Sequence, residues 1–345
     1  MKSIALVGGA HIHTPGFVNM LKKRDDVRVV SVWDPSPVVA QARAEALGAA
    51  VVAEPGAIYA DRAVEAVVVT SQTDLHEELG LGAAAAGKHL FVEKPLGMAG
   101  ADAYRMAAAI DKAGVRFQTG YFRRSGAIEQ HVRKLVQDGA FGKVTRARMS
   151  NCHQGSLGGW FDDKPGDPAN SWRWMADPKR AGCGAFGDLG THVLDILMWV
   201  FGGVASCTAS IGVATGRYGD CDEFGEGLMR FENGVVATFA AGWVDVANPV
   251  TLLVSGTKGH AAVVDGKLYL KLEGVEGADG KTPVAPEQLP KAQPHAFELF
   301  LDAVVGKPLP EIGLVSAKEA AARSAVMEAM YDGAARSAWV APAGG

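Results

Sequence analysis

Three polar residues share one face of a predicted helix in the middle of the chain. Asp188, His192 and Asp195 follow one another at spacings of four and three in the segment 182–195 (GCGAFGDLGTHVLD), and a helix aligns residues spaced in this way. A histidine beside a carboxylate is suited to act as a general base that the carboxylate orients. A capping aspartate followed by a core histidine would give the same spacing. We favour the catalytic interpretation because three polar residues interrupt an otherwise apolar face.

A lysine at the end of a short apolar segment is the second candidate. The segment 89–92 (HLFV) is typical of a buried strand, and Glu93, Lys94 and Pro95 follow it directly. If this strand belongs to a parallel sheet, its carboxyl end lies at the edge where such folds bind ligands. A lysine there can donate a hydrogen bond to a substrate oxygen. Taken alone, the motif is better explained by a solvated loop lysine.

A glycine-containing turn near the N-terminus predicts a phosphate-binding loop. It separates a strand-like segment, 2–7, from a helical segment that begins at 14, and it consists of Gly8, Gly9, Ala10, His11, Ile12 and His13. Backbone N–H groups at such a turn, together with the helix dipole, attract a pyrophosphate. The dinucleotide fingerprint is G-x-G-x-x-G, so Ala10 and His13 replace its second and third glycines. From this turn alone, a tight turn without a ligand is an equally good explanation.

Asp34 predicts which dinucleotide binds. It ends the second predicted strand, 27–33, about 20 residues after the turn, where an acidic residue binds the ribose hydroxyls in NAD-binding folds. A carboxylate there repels the 2′-phosphate of NADP, and residues 35–42 contain no basic side chain. A helix-capping role is the structural alternative. In combination with the turn, Asp34 favours NAD over NADP.

The pair His11 and His13 also raises the question of a metal. An H-x-H pair after a first strand can ligate a metal in barrel-shaped hydrolases, since neutral histidine is a common zinc ligand. Such a site needs further ligands at later strand ends, and neither His76 nor His89 stands at the carboxyl end of a predicted strand. The late strands are also predicted to be antiparallel, which contradicts a barrel. We therefore predict no metal site.

These candidates need a scaffold that brings strand ends together. Through residue 123, apolar strands alternate with helices of about 10–15 residues, which is typical of crossover units and a parallel sheet. Several strands with Asn-Gly and Asp-Gly turns follow between 204 and 274, and such turns indicate hairpins. The long connection 154–185 is predicted to be functional because of its length. The fold class is therefore α/β, with a parallel sheet first and a mostly antiparallel sheet second.

The remaining predicted elements complete this outline. Residues 276–294 are predicted to form a surface loop, and two helices, 295–305 and 316–337, end the chain. In the middle of the chain, the helix that carries Asp188 is predicted over 187–201.

Composition excludes several classes of protein. The 345 residues are 48% hydrophobic, enough for two domains or one large one. The net charge of −4 argues against a nucleic-acid partner held by bulk charge, and no apolar run reaches the roughly 18–20 residues that span a bilayer. Four scattered cysteines without a C-x-x-C pair indicate neither a disulfide framework nor a zinc knuckle. We expect a cytoplasmic protein with no membrane partner.

Taken in order, the motifs resemble those of the Gfo/Idh/MocA oxidoreductases over nearly the whole chain. The segment 87–96 (GKHLFVEKPL) is similar to the family's strand and E-K-P signature, and 182–195 is similar to its G-G-G-x-x-x-D-x-G-x-H-x-x-D helix, with Cys183 for the middle glycine. The segment 171–173 (SWR) is similar to its W-R element, and 120–124 (GYFRR) to its sixth-strand exit. The glycine turn departs from the family pattern. So does 70–73 (TSQT), where T-P-N is frequent, although His76 stands where the family has histidine.

The resemblance implies a fold and a set of contacts. It implies a Rossmann NAD-binding domain, 1–123, and a C-terminal α/β domain, 124–345, with a large open sheet for substrate binding and oligomerisation. The implied cofactor contacts are Gly8, Gly9, Ala10, His11, Ile12, His13, Asp34, Thr70, Ser71, His76, Glu93, Lys94, Trp172 and Arg173. The implied substrate contacts are Lys94, Asp188 and His192. Further candidates for the substrate site come from strand ends that face the cleft and from a possible stacking tryptophan: Tyr121, Arg123, Asn151, His153 and Trp243.

The resemblance also implies a reaction. Lys94 would bond the substrate hydroxyl, His192 would accept its proton as hydride leaves for NAD⁺, and Asp188 would orient the substrate and tune His192. We therefore predict an NAD-dependent dehydrogenase for a secondary hydroxyl of a sugar, cyclitol or sugar derivative, assembled as a dimer or tetramer. Four tryptophans could stack on a sugar ring or equally well pack in the core: Trp160, Trp172, Trp174 and Trp243.

Two other functions remain open. The first is cleavage of a glycoside through transient oxidation by tightly bound NAD, a variation found in relatives of the family. The second is a non-catalytic nucleotide sensor. The presence of Lys94, Asp188 and His192 argues against a sensor, since a sensor needs no proton-transfer residues.

Overall fold

The first sheet is built from six parallel strands whose ends line up. The computed structural model describes residues 1–344. The strands of this sheet are β1 (Lys2–Val7), β2 (Val27–Trp33), β3 (Ala50–Val51), β4 (Val64–Val69), β5 (His89–Val92) and β6 (Phe117–Thr119). Their order is β3-β2-β1-β4-β5-β6. This is the strand order of the doubly wound dinucleotide-binding fold, and its direction reverses between β1 and β4.

The register of these strands decides which loops meet. Val7 lies beside Trp33 on one side and Val69 on the other, and Val69 lies beside Val92. The loops that follow all four strands therefore leave from one edge, because parallel strands end on the same side. The glycine turn, Asp34 and Lys94 are brought to that edge.

Helices cover both faces of the first sheet, as its nearly continuous apolar strands require. They are α1 (Thr14–Lys22), α2 (Pro37–Leu47), α3 (Pro55–Ala60), α4 (His76–Ala85) and α5 (Gly100–Ala113). Within β1, Ile4 and Leu6 belong to one buried cluster, and Ala5 and Val7 belong to another. The alternation follows from the two-residue period of a strand.

The second sheet has eight strands in the order β14-β13-β12-β11-β7-β10-β9-β8. They are β7 (Val144–Cys152), β8 (Val204–Gly212), β9 (Phe224–Phe231), β10 (Val236–Gly242), β11 (Val250–Gly256), β12 (Gly259–Val264), β13 (Lys267–Leu272) and β14 (Asp279–Pro283). All neighbours pair antiparallel except β7 and β10, which are parallel. The prediction of a mostly antiparallel second sheet is confirmed.

The helix that carries Asp188 lies on the second sheet. Two helices, α6 (Ala127–Gln137) and α7 (Pro178–Ala181), precede it, and it is α8 (Ala185–Phe201). Phe186 of α8 stacks on Phe239 of β10 at 4.9 Å between ring centroids. A Cβ on Gly190 would lie 2.7 Å from the Phe239 ring, so this glycine allows the close approach of helix and sheet.

The last two helices return to earlier parts of the fold, the first of them to the first sheet and the second to both α5 and β8. They are α9 (Ala296–Val305) and α10 (Ala317–Arg336). Phe297 of α9 lies 5.0 Å from Phe91 of β5, ring to ring, inside the first sheet's core. The domain boundary at residue 123 stays a prediction. Although α9 lies far beyond residue 123 in the sequence, it packs in the core of the first sheet.

Several predicted elements need correction. The predicted surface loop 276–294 contains β14, and the connection 154–185 contains α7. The short elements β3 and α3 were absent from the prediction because neither is long enough to show a period. None of the helices within residues 1–344 combines the length and apolar character that crossing a membrane requires.

Candidate functional site

A buried ion pair joins the edge of the first sheet to α8. Lys94 Nζ lies 2.6 Å from Asp188 Oδ1 and donates to the Asp188 carbonyl at 3.3 Å. Trp243 donates its indole N–H to the other carboxylate oxygen at 3.3 Å. Burial opposes both charges, but each charge offsets this cost for the other. The pKa of Asp188 falls to about 2, and the pKa of Lys94 is raised.

His192 lies one helical turn after Asp188. Its ring is 4% exposed, and Nδ1 has no hydrogen-bond partner among residues 1–344. Burial lowers the pKa of His192 well below its ordinary value, and the charge of Lys94 lowers it further. The imidazole is therefore neutral at physiological pH and can accept a proton. Phe122 lies 5.1 Å from it, ring to ring.

Asp195 does not belong to this group, although its spacing on the helix suggested that it would. Arg124 donates to both of its oxygens, and Arg323 donates to one of them at 3.2 Å. Asp195 is 1% exposed, so its charge is fully used in tying α8 to α10 and to the segment after β6. It cannot orient His192.

The glycine turn is held against Asp34. Gly8 has φ +77°, and a Cβ there would overlap the side chain of Ser71. The Gly9 N–H donates to Asp34 Oδ2 at 2.7 Å, and the Ser36 N–H donates to Oδ1 at 2.8 Å. Burial raises the pKa of Asp34, and these two hydrogen bonds oppose that rise.

Two residues absent from the predicted cofactor contacts fasten the connection 154–185 to this turn. Arg43 donates to the carbonyls of Gly9 and Ala169 at 3.0 and 2.7 Å. Trp174 donates to the Ala10 carbonyl at 3.1 Å. Trp174 is thus a structural residue and not a sugar platform. Arg43 could have been noticed because it stands in the buried stripe of α2, where a lone arginine needs partners.

His11, His13 and Glu93 cluster beside the turn. His13 Nδ1 lies 3.2 Å from Glu93 Oε1, and the rings of His11 and His13 are 4.7 Å apart, centroid to centroid. Glu93 is fully buried, whereas the His13 side chain is 34% exposed. Burial opposes ionisation of Glu93, but the two histidines outweigh it and lower the pKa of this carboxyl.

Three other predicted cofactor contacts have buried side chains that bond within the protein. Thr70 donates to the Gly8 carbonyl at 2.6 Å, Ser71 donates to the Gln72 carbonyl at 3.0 Å, and His76 Nδ1 lies 3.0 Å from the Pro95 carbonyl. All three residues are fully buried. Their side chains therefore brace the loops at the sheet edge, and their contact with a cofactor stays a prediction.

The predicted substrate contacts lie around the ion pair at different depths. Asn151 donates to the Leu189 carbonyl at 3.1 Å, next to Asp188. Tyr121 is buried, with its hydroxyl 2.8 Å from Thr191 Oγ1. His153 packs on the exposed Trp160 at 4.6 Å between centroids. Arg123 donates to Glu129 at 3.2 Å, so its side chain is turned toward α6, the helix that follows it.

The tryptophans differ in the same way. Trp243 is fully buried against Phe161, at 4.4 Å between centroids, and reaches the site through its indole N–H alone. Trp172 is half-buried, and its indole N–H has no partner within residues 1–344. Arg173 is exposed, with its guanidinium 5.0 Å from the Tyr218 ring.

These residues fit a dinucleotide. The turn lies where the strand order reverses, and dinucleotides bind in the crevice at that point. Each Asp34 oxygen takes one N–H and keeps acceptor capacity for ribose hydroxyls. The unpartnered indole N–H of Trp172 is a buried donor that a bound ligand can satisfy. His13 adds a side chain where the fingerprint has none.

Comparisons with known proteins show the family and the fold of the chain. A family model described as "Oxidoreductase family, NAD-binding Rossmann fold" matches residues 2–121, and one described as "GFO/IDH/MocA C-terminal domain" matches residues 130–262. Among curated proteins, levoglucosan dehydrogenase from Pseudarthrobacter phenanthrenivorans is 28% identical over 59% of this chain and 56% of its own length.

A second curated relative aligns over more of the chain. D-glucoside 3-dehydrogenase from Escherichia coli is 26% identical over 89% of this chain and 88% of its own length. Among solved structures, levoglucosan dehydrogenase in complex with NADH and levoglucosan superposes with a TM-score of 0.79 at 21% identity, covering 99% of this chain and all of the other. The last likeness shows a shared fold.

Proposed function

The chain belongs to the GFO/IDH/MocA family of oxidoreductases with an NAD-binding Rossmann fold, and on that basis we propose that it oxidises a secondary hydroxyl of a sugar, cyclitol or sugar derivative. The observation that carries the proposal is the Lys94–Asp188 pair with a neutral His192 one turn away. The sugar-directed dehydrogenases among the relatives support the substrate class. When bound, NAD⁺ accepts the hydride.

Lys94 supplies positive charge beside the reacting oxygen. Its ammonium group is 2% exposed and held by Asp188 at 2.6 Å. A fixed cation in a site shielded from water stabilises the alkoxide character that develops as the hydroxyl gives up its proton and the carbon that bears it gives up a hydride. The Lys94 ammonium stays charged although it is shielded from solvent, because the Asp188 carboxylate compensates its positive charge.

His192 accepts the hydroxyl proton. Its low pKa keeps the ring neutral, which is the form that a general base requires before each turnover. Asp188 lies one turn before it on α8 and holds Lys94, so one helix positions both the base and the cation. Asn151 and His153 lie at the end of β7 on the same side and are proposed to line the substrate site.

NAD is the proposed cofactor, held by the glycine turn and Asp34. The N–H groups of Gly8 and Gly9 bond to the Trp33 carbonyl and to Asp34, so these glycines are proposed to allow a close approach of the backbone, while Trp172 and Arg173 of the long connection are proposed to close over the cofactor. Two backbone N–H groups already donate to the Asp34 carboxylate. Its remaining lone pairs accept hydrogen bonds from ribose hydroxyls, whereas its negative charge repels a phosphate. Arg43 bonds carbonyl groups through Nε and Nη2, so it does not offer these groups to a 2′-phosphate.

A screen of sugars and polyols with NAD⁺ and NADP⁺, followed at the nicotinamide absorbance band, tests the proposal. We expect NADH to accumulate with at least one sugar or cyclitol, and a Lys94→Met variant that still binds NAD⁺ to be slow with the same compound. Product release without NADH accumulation would favour the redox-neutral glycoside cleavage instead. Absence of turnover and of dinucleotide binding would overturn both.

We also propose a homo-oligomer formed through the open face of the second sheet. Val236 and Val250 are exposed on its strands β10 and β11, and α8 covers the opposite face. Apolar side chains on an open sheet face favour burial against another copy. Light scattering after size-exclusion chromatography would give the mass, and a monomer at micromolar concentration would refute this assembly.

A further inference from the structure

The glycine turn and the end of β5 bring together three side chains that carry metal-ligating atoms. We propose that His11, His13 and Glu93 form a binding site for one divalent transition-metal cation of the zinc type. The three residues each offer one ligand atom, and these atoms all lie within 4.8 Å of one another. The site lies at the start of α1 and the end of β5, on the edge of the first sheet.

The spacing within the cluster fits the coordination geometry of zinc. His13 Nδ1 and Glu93 Oε1 are 3.2 Å apart. Two ligands at about 2.0–2.2 Å from a tetrahedral zinc ion are separated by roughly the same distance. Among residues 1–344, the His11 side chain accepts only one hydrogen bond, from the His13 N–H to Nδ1 at 3.2 Å. This bond is long enough to be given up at little cost.

The chemistry of the donors selects the class of cation. Two imidazoles with one carboxylate suit zinc, cobalt and nickel, whereas calcium and magnesium prefer oxygen ligands. Two histidines and a glutamate occupy three positions and leave the fourth open, which is the pattern of zinc sites that bind water or a further ligand. The exposed side of His13 gives an ion a path from solvent.

The charges around the cluster also favour a cation. Glu93 carries a negative charge with no arginine or lysine side chain bonded to it, since its second oxygen accepts the Lys94 backbone N–H at 2.8 Å. The Lys94 ammonium is compensated by Asp188 at 2.6 Å. The group formed by Glu93, Lys94 and Asp188 has a net charge of −1, so a divalent cation is attracted to it.

His192 adds a further nitrogen on the same side. Its ring centroid lies 6.5 Å from that of His13, and its buried Nδ1 has no partner within residues 1–344. The turn thus faces an unpartnered imidazole across the cleft. The inference does not rest on the proposed dehydrogenase activity, since it concerns the apo protein.

Titration of the full chain with Co²⁺ tests the site without substrate or dinucleotide. The protein should carry no affinity tag and should first be treated with a chelator. We expect one equivalent of Co²⁺ to bind with the intense visible absorption of a four- or five-coordinate site, and Zn²⁺ to displace it. Excess Mg²⁺ and Ca²⁺ should leave the spectrum unchanged.

Variants locate the ion. His13→Gly should weaken Co²⁺ binding by at least about 10- to 100-fold, because losing a ligand costs no less than losing a residue that orients one. His13 makes no side-chain capping bond to α1, so the helix start does not depend on it. His131→Gln removes a histidine on the distant α6 and should bind Co²⁺ like the unaltered chain.

Circular dichroism and thermal melting report whether each variant is folded. If His13→Gly fails to fold, His11→Gln tests the same site, and we expect the same weakening of Co²⁺ binding. No visible band in the unaltered protein would overturn the proposal. Unchanged Co²⁺ binding in a folded His13→Gly or His11→Gln would overturn it as well, since the ion would then lie elsewhere.

Discussion

Breaking the Lys94–Asp188 pair should cost both stability and rate. In Lys94→Met the side chain keeps most of its length but loses its charge, and Asp188 is left with the Trp243 indole N–H at 3.3 Å as its other side-chain donor. Removing one partner of a buried pair costs about 3–5 kcal/mol because the other charge is left uncompensated. We expect a loss of this size in the free energy of unfolding.

A double-mutant cycle separates the pair from the packing. Asp188→Asn removes the second charge, so Lys94→Met/Asp188→Asn should lose less than the sum of the single losses, by about 0.5–3 kcal/mol. Urea unfolding followed by tryptophan fluorescence gives the four free energies. Additive losses, or a Lys94→Met variant within about 1 kcal/mol of the unaltered protein, would refute the argument because such changes are ordinary for any substitution.

The acid range gives an independent check on the same pair. The pKa of Asp188 is lowered from 3.8 to about 2 on folding. A carboxyl group with a lowered pKa stabilises the folded state fully above its unfolded pKa, and this contribution is lost as pH falls toward the folded pKa. The difference in unfolding free energy between the unaltered protein and Asp188→Asn should therefore narrow as the pH falls from about 4 to about 2.

The rate of Lys94→Met should fall by about 10² or more, since a transition-state donor is missing.

Four further predictions concern single residues. His192→Gln should lower kcat by about 10²–10⁴ and flatten the acid limb of the pH–rate profile, and an unchanged limb in steady-state kinetics would assign the base elsewhere. His13→Gly should stay folded and bind NAD⁺, because the family pattern has glycine there; calorimetry showing complete loss in a folded variant would make His13 a dinucleotide ligand. NAD⁺ should bind at least about tenfold tighter than NADP⁺, or about 1.4 kcal/mol, because of Asp34, and equal affinities by calorimetry would contradict this. Burial lowers the pKa of His11, His76 and His192, so unfolding free energy should fall as pH drops below about 6.5, by up to about 1.4 kcal/mol per pH unit for each histidine; His192→Gln should show a shallower slope in urea titrations, and an identical slope would refute the assignment.

The strands and most helices could be predicted because each buries a repeating apolar pattern. The β2 strand, 27–33, and the β5 strand, 89–92, match their predicted bounds. The pairing of Lys94 with Asp188 could not be read from spacing, since 94 residues separate them. The resemblance to the family nevertheless predicted that both residues contact the substrate.

Other parts of the site depend on packing that no local pattern reports. The spacing of Asp188, His192 and Asp195 predicted one polar face, yet Asp195 meets Arg124 and Arg323 because α8 is buried nearly all round. An all-round buried helix has no single functional face. The supporting roles of Thr70 and His76 likewise follow from which backbone carbonyl lies within reach, and only the folded chain decides that.

The position of α9 has a consequence for how the protein is made. Phe297 and Phe300 complete the core around Phe17 and Phe91, so the part of one face of the first sheet beside Phe91 stays uncovered until residue 305 has been synthesised. Domains usually form in order as the chain leaves the ribosome. Here the first sheet must wait with aromatic side chains exposed while the second sheet is translated. The nascent chain is therefore most dependent on chaperones over this interval, and a fragment ending at residue 123 carries the strands of a dinucleotide-binding sheet without the helix that closes it.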